Sequence, residues 1–260
     1  MKLKQIRNAT MIITYAGKRF LIDPFLAPKG TYPPFPTGIN EHLNIPTVDL
    51  PVSMEEILDV DAVIVTHIHL DHFDPVAMEV IPKDMKMFAQ NQDEARQMHE
   101  AGFTNVEVLS EEGTMYGDVK LIKTPAKHFS DESILEIYRQ LNTADEACGV
   151  ILKHATEKSL YVMGDTVWYN EVKNVLNKYT PDVIVINAGN AQMADGRYVI
   201  MNKEEFYEVS KTAPNAQFLA THMEAVNHVV LSRQELKEYA EKQGFANRLA
   251  IPADGETCEF

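Results

Sequence analysis

Between Ala62 and Asp74 the chain reads AVIVTHIHLDHFD, so an apolar, β-branched run leads directly into four side chains able to bind metal: His67, His69, Asp71 and His72. No other feature limits the fold as much. Metal ligands must hold their positions to a fraction of an ångström, and the end of a buried strand offers that rigidity. In an extended segment, residues two apart point the same way, so His67 and His69 can face one cation. A turn then presents Asp71 and His72 to a second. Imidazole nitrogen suits zinc and its neighbours, and a carboxylate also accepts harder ions. Histidines scattered by chance match the full His-x-His-x-Asp-His pattern roughly once in a thousand, which makes packing or surface histidines the weaker account.

The remaining chain predicts strands at Met11–Tyr15, Arg19–Ile22, Ala62–Thr66, Val106–Leu109, Val119–Thr124, Cys148–Lys153, Leu160–Met163, Val183–Ile186 and Gln217–Ala220. Capping-box pairs predict helix starts at Ser53 with Glu56, Asn202 with Glu205 and Ser232 with Glu235. From Asp93, Ala95, Met98 and Ala101 share a helical face that stops at Gly102. An early meander followed by strands alternating with helices predicts an α/β fold, a sandwich of packed sheets with helices outside. One domain over 1–260 is expected. Residues 26–52 carry Pro28, Pro33, Pro34, Pro36, Pro46 and Pro51, which excludes a helix or central strand and predicts a loop, or a lid over a pocket.

With these motifs the chain resembles the metallo-β-lactamase superfamily over nearly its whole length. The resemblance rests on the HxHxDH stretch and on four further motifs in order: Leu21-Ile22-Asp23, Thr124-Pro-Ala-Lys-His128, Met163-Gly-Asp165-Thr and Leu219-Ala-Thr-His222. It implies an αββα sandwich of two mixed sheets, with a dinuclear metal site at their edge. Carried over residue by residue, it implies His67, His69 and His128 on one metal, Asp71, His72 and His222 on the other, and Asp165 shared. Asp23 would support the metal loop without ligating. The implied cofactors are two divalent ions, zinc first, with manganese or iron also suited to such a shell. THIHLDHFDP, GDTVWY and THMEAVNH with VVLSR resemble the branch that opens L-ascorbate 6-phosphate. That branch implies a lactonase-like dinuclear hydrolase opening a small anionic lactone or ester with a metal-bridged hydroxide, with Asp71 and Asp165 as catalytic residues and a homo-oligomer as an option.

Cys148 and Cys258 match none of these motifs, which sets aside the β-lactamases that use a cysteine ligand. Two cysteines, no apolar leader and no apolar run near bilayer length predict a cytoplasmic protein without a membrane partner. Against 38 acidic side chains stand 24 basic ones, a formal charge of −14, which disfavours nucleic acid and leaves a phosphodiesterase or nuclease as the runner-up. A small anion drawn by two dications remains compatible with that charge. A non-catalytic metal- or ligand-binding regulator is the reading from another class; a degenerate ligand set would have favoured it. Candidate substrate residues are Trp168, Tyr169, Asn187, His228 and Arg233, each with a plain structural alternative as core aromatic, turn residue, loop residue or helix-start arginine.

Overall fold

The computed structural model describes residues 1–140 and 143–260. At the N-terminus, β1 (Lys2–Arg7), β2 (Thr10–Tyr15) and β3 (Lys18–Ile22) form an antiparallel meander. Its turns are tight because Asn8, Ala16 and Gly17 take left-handed backbone. Then β4 (Ala62–Ile64), β5 (Lys86–Ala89) and β6 (Val106–Val108) extend the sheet in parallel. Parallel neighbours need crossovers, here containing α1 (Met54–Leu58), α2 (Pro75–Val80) and α3 (Gln92–Glu100).

The second sheet repeats the plan. An antiparallel half, β7 (Thr114–Tyr116), β8 (Val119–Pro125), β9 (Cys148–Lys153) and β10 (Leu160–Val162), holds α4 (Ile134–Gln140) between its second and third strands. A parallel half follows, β11 (Val183–Asn187), β12 (Gln217–Thr221) and β13 (Leu249–Ala250), with α5 (Asn170–Tyr179), α6 (Lys203–Thr212) and α7 (Arg233–Gln243) in the crossovers. Finally β14 (Thr257–Glu259) returns to pair antiparallel with β1. Each sheet has seven strands, ordered β14-β1-β2-β3-β4-β5-β6 and β13-β12-β11-β10-β9-β8-β7.

Alternation along the strands builds the layers. Phe20 and Ile22 of β3 meet Val150 and Leu152 of β9 in the core between the sheets, while Leu21 turns outward to Ile57, Ala77 and Met98 of the first helical layer. On the opposite side, Ile184 and Phe218 pack against Val172, Phe206 and Leu236 of α5, α6 and α7. The αββα sandwich of two mixed sheets expected from the sequence is thus the fold. Fully burying one of these aliphatic side chains contributes about 1.5–3 kcal/mol, more than an exposed ion pair such as Arg96–Asp93.

The predicted strands are all present, with ends shifted by a residue or two; β4, for instance, stops at Ile64 while Val65 N–H still donates to Phe88 O at 3.0 Å. Strands β1, β5, β7, β13 and β14 were not expected. Lys2, Lys4 and Gln5 make β1 read as polar, yet Gln5 is buried at a sheet edge that β14 covers. Of the three capping boxes only Ser232–Glu235 is reciprocal. Ser53 and Asn202 each cap one N–H, and Glu205 turns instead to the Tyr198 hydroxyl at 2.9 Å. Among the described residues no helix is long and apolar enough to cross a membrane.

Candidate metal centre

Strand ends from both sheets deliver the polar residues to one edge of the sandwich. The chain leaving β4 carries His67 and His69, then turns as the His72 and Phe73 N–H groups donate to His69 O at 3.0 and 2.9 Å. His128 follows β8, Asp165 follows β10 and His222 follows β12. The outcome is three overlapping sets of donor atoms, each set lying within 4.8 Å: His67, His69 and His128; His67, His72 and Asp165; Asp71, His72 and His222. The seven residues named by the resemblance thus lie together, and the third set joins His67 and His72 through Asp165. All except His69 are buried; His69 is half-buried.

Asp165 lies at the middle. Its Oδ2 stands 3.2 Å from His72 Nε2, 3.5 Å from His128 Nε2, 3.6 Å from His222 Nε2 and 3.9 Å from His67 Nε2. Its Oδ1 accepts from Asn187 Nδ2 at 2.5 Å, so the carboxylate cannot rotate away. Just before it, Gly164 has φ +66°, and a Cβ there would lie 2.2 Å from Cys148 O. Gly164→Ala is therefore expected to destabilise the protein by about 3 kcal/mol and to loosen metal retention, read from a thermal melt and from bound metal after gel filtration.

The imidazoles are oriented from behind. His72 Nδ1 donates to Asp23 Oδ2 at 2.9 Å, His128 Nδ1 to Val199 O at 2.9 Å and His69 Nε2 to Ala144 O at 2.8 Å. Thr66 donates its hydroxyl to Asp23 Oδ2 at 2.7 Å and so accepts from His67 Nδ1 at 3.1 Å. Each ring thereby presents its other nitrogen, with a lone pair, to the cluster, the pattern typical of metal-bound histidine. Asp23 takes the supporting place expected of it, and also accepts from Thr66 N–H at 2.7 Å.

The donor set fits a cation. Among the described residues His67 Nε2 is buried with no hydrogen-bond partner, and His72 Nε2 lies 3.1 Å from His222 Nε2, an approach of two imidazole nitrogens that needs a proton or a metal ion between them. Electrostatics agree. Burial drives His67 and His69 below their ordinary range and His128 down to about 4, keeping them neutral as metal ligands must be. For His72 burial is overcome by Asp165, Asp23 and Asp71, which raise it well above the usual imidazole value. Burial likewise opposes the charged forms of Asp165 and Asp71, but the surrounding imidazoles hold both carboxyls well below the usual range.

Sequence reasoning missed several supports. Asn8, in left-handed backbone at the β1–β2 turn, donates from Nδ2 to Asp71 O and Oδ2 at 3.1 and 3.2 Å, and its carbonyl accepts from His222 N–H at 3.0 Å. Nothing in a lone Asn-Ala turn signals this. Glu94, buried on α3, accepts from Ile68 N–H at 2.9 Å between the two histidines, and burial pushes its carboxyl up to about 7. Asp74 caps α2 and accepts from Leu26 and Ala27 N–H and the Tyr32 hydroxyl, tying the metal loop to the proline-rich segment. Here the Asp-Pro pair before an apolar run was a readable helix start.

A cavity of about 700 Å³ opens over the cluster. Its wall includes Phe35 and Pro36 of the proline-rich segment, Leu70, Ile137 of α4, Met193 and Val199. That segment is anchored by the buried Arg7 guanidinium, which donates to Phe25 O, Ala27 O and Val48 O, and by Asn227, which bonds Phe35 and Ile39. Of the five candidate substrate residues only His228 lines the cavity. Trp168 and Tyr169 pack on the core under α5 and α6, and are core aromatics. Asn187 stands behind Asp165 as its anchor. Arg233 is engaged at the start of α7 by Glu224, Asp254 and Pro252 O, so its guanidinium is not available to a substrate.

Comparison with known proteins places this arrangement. The family model described as the beta-lactamase superfamily domain matches residues 18–223. The chain is 48% identical to UPF0173 protein YddR of Bacillus subtilis (strain 168) over 261 residues, covering 100% of both. Among solved structures, isothiocyanate hydrolase from Delia radicum gut bacteria is 40% identical with a TM-score of 0.94, covering 100% of this chain and 99% of that one. A possible metal-dependent hydrolase from Veillonella parvula is 37% identical with a TM-score of 0.92, covering 99% and 98%.

Proposed function

Since the chain belongs to the metallo-β-lactamase superfamily, among its metal-dependent hydrolases, we propose that it hydrolyses small neutral electrophiles with an apolar substituent, isothiocyanates above all. The observation carrying this reading is the cavity wall. Among the described residues lining it, the only Lys or Arg is Arg96, which pairs with Asp93 at 2.9 Å. An anionic lactone, the substrate expected from the sequence, would find only Arg96 beyond the metal centre to meet its charge. An aryl or alkyl group, by contrast, gains from Phe35, Leu70, Ile137 and Met193. The 40% identical isothiocyanate hydrolase supports the same class.

The seven clustered residues would hold the metal, and three overlapping donor sets, linked through His67 and His72, leave room for two ions. Bound divalent metal supplies Lewis acidity and a water acid enough to be a nucleophile near neutral pH. The chain's own groups do the positioning. The apolar wall orients R–N=C=S with its central carbon toward the histidine and aspartate edge, and the same wall thins out bulk water. Asp165 and Asp71, ionised and held by Asn187 and Asn8, keep the donor atoms in register. Addition of water to the central carbon forms a C–O bond and moves a proton to nitrogen. The thiocarbamic acid then breaks its C–N bond as its O–H proton passes to nitrogen, so R–NCS and one water become R–NH2 and carbonyl sulfide.

The test sets phenethyl isothiocyanate against γ-lactones and bis-p-nitrophenyl phosphate, using protein of measured metal content. We expect amine release from the isothiocyanate, abolished by a chelator and restored by added zinc or manganese. Turnover of a lactone or the diester with no isothiocyanate loss would overturn the substrate assignment.

A further inference from the structure

We propose that His228 is a catalytic residue that donates a hydrogen bond to the substrate heteroatom gaining charge as the central carbon is attacked. The inference rests on the isothiocyanate reading. His228 is 9% exposed, lines the cavity, and belongs to none of the donor sets able to hold a metal among the described residues. Its place is fixed without using its ring nitrogens. The Phe35 ring meets it edge-on at 4.8 Å, and its carbonyl accepts from Gln192 N–H at 3.0 Å.

Among the described residues neither ring nitrogen has a hydrogen-bond partner, Nδ1 being buried as well. With Nδ1 buried and the ring lining the cavity, Nε2 is the nitrogen we assign to the substrate. A buried N–H without an acceptor is rarer in folded proteins than a buried lone pair. The neutral ring therefore carries its proton on Nε2, aimed at whatever occupies the cavity. Burial pushes His228 down to about 4, so at pH 7 it is a neutral donor. A neutral imidazole is the right group for a neutral, apolar substrate, since it strengthens with the charge that develops and needs no counter-ion beforehand. During addition the C–O bond forms and the N=C electron pair moves onto the N–C–S unit. The proton that ends on nitrogen comes from the water, and His228 keeps its own.

Two variants test this in the metal-loaded protein, H228L without a donor and H228Q with an amide N–H. Thermal melts and metal content establish that both are folded and loaded. In H228L kcat/KM for phenethyl isothiocyanate should fall about 10²–10³-fold with metal content unchanged, the scale of losing one such donor. H228Q should recover at least tenfold over H228L. Independently of turnover, calorimetry with the neutral ester O-methyl N-phenethylthiocarbamate should show binding at least tenfold weaker in H228L than in wild type. Wild-type rates in H228L, loss of metal from it, equal loss in both variants, or equal thiocarbamate binding would each overturn the role of His228. A wild type inert to isothiocyanates that still shows the binding difference would sink the substrate reading and leave the His228 contact standing.

Discussion

Asp165→Asn is expected to release most of the bound metal and to lower hydrolysis by at least about 10³-fold, the several kcal/mol that metal catalysis contributes. The substitution keeps shape and volume, and the variant's amide oxygen can still accept from Asn187. What changes is the atom in the middle of the cluster. Oδ2 stands within 3.2–3.9 Å of Nε2 atoms from His67, His72, His128 and His222. Exchanging its negative charge for a neutral amide removes the carboxylate that lies among all four of these imidazoles. Fully loaded, fully active D165N protein, by elemental analysis and initial rates, is the result this account cannot accommodate.

The second large effect concerns a residue that touches no substrate. Asp23→Ala leaves Thr66 N–H, the Thr66 hydroxyl and His72 Nδ1–H without their acceptor, in a site where Asp23 is 1% exposed and water cannot substitute. Stranding these groups should cost about 3–5 kcal/mol, a fall in Tm of roughly 10 °C. Metal affinity should drop about 10–100-fold as His72 and His67 lose their orientation. Asp23→Asn should retain part of both, because its side-chain oxygen can accept from Thr66 but its NH2 faces a donor. Calorimetry with and without metal separates the two effects: the stability loss persists in the metal-free protein, and the affinity loss appears only with metal. Equal melting of D23A and wild type without metal would contradict the buried hydrogen-bond account.

Much of the site was legible because a metal-binding strand end is a short-range object. His67, His69, Asp71 and His72 lie within six residues, and their alternation already dictates which pairs face together. Asp23, His128, Asp165 and His222 were readable only as ordered motifs, since nothing local says that four separate strand ends meet. Three of the candidate substrate residues, Trp168, Tyr169 and Arg233, lie outside the cavity lining for the same reason, while His228 lines it. Trp168 and Tyr169 follow Asp165 in sequence, but the chain turns them back toward α5 and α6, where core burial outweighs exposure to the cavity. Arg233 follows His222 by eleven positions, and Glu224 and Asp254 claim its guanidinium. Neither outcome has a local signature.

The sequence by itself determined the alternating apolar strands, hence a sandwich of packed sheets with outer helices, and the ligand types, hence a candidate metal centre. Those follow from periodicity and donor chemistry, both local properties. Tertiary structure alone decided the rest. It brought Asn8 beneath Asp71 and Asn187 behind Asp165, and it closed the cavity with Phe35 from a loop that sequence could read only as proline-rich. It also decided that Arg96 is the one Lys or Arg among the described residues of the wall. A cavity's charge and polarity are sums over residues far apart in the chain, and only the packed sheets settle which side chains enter that sum.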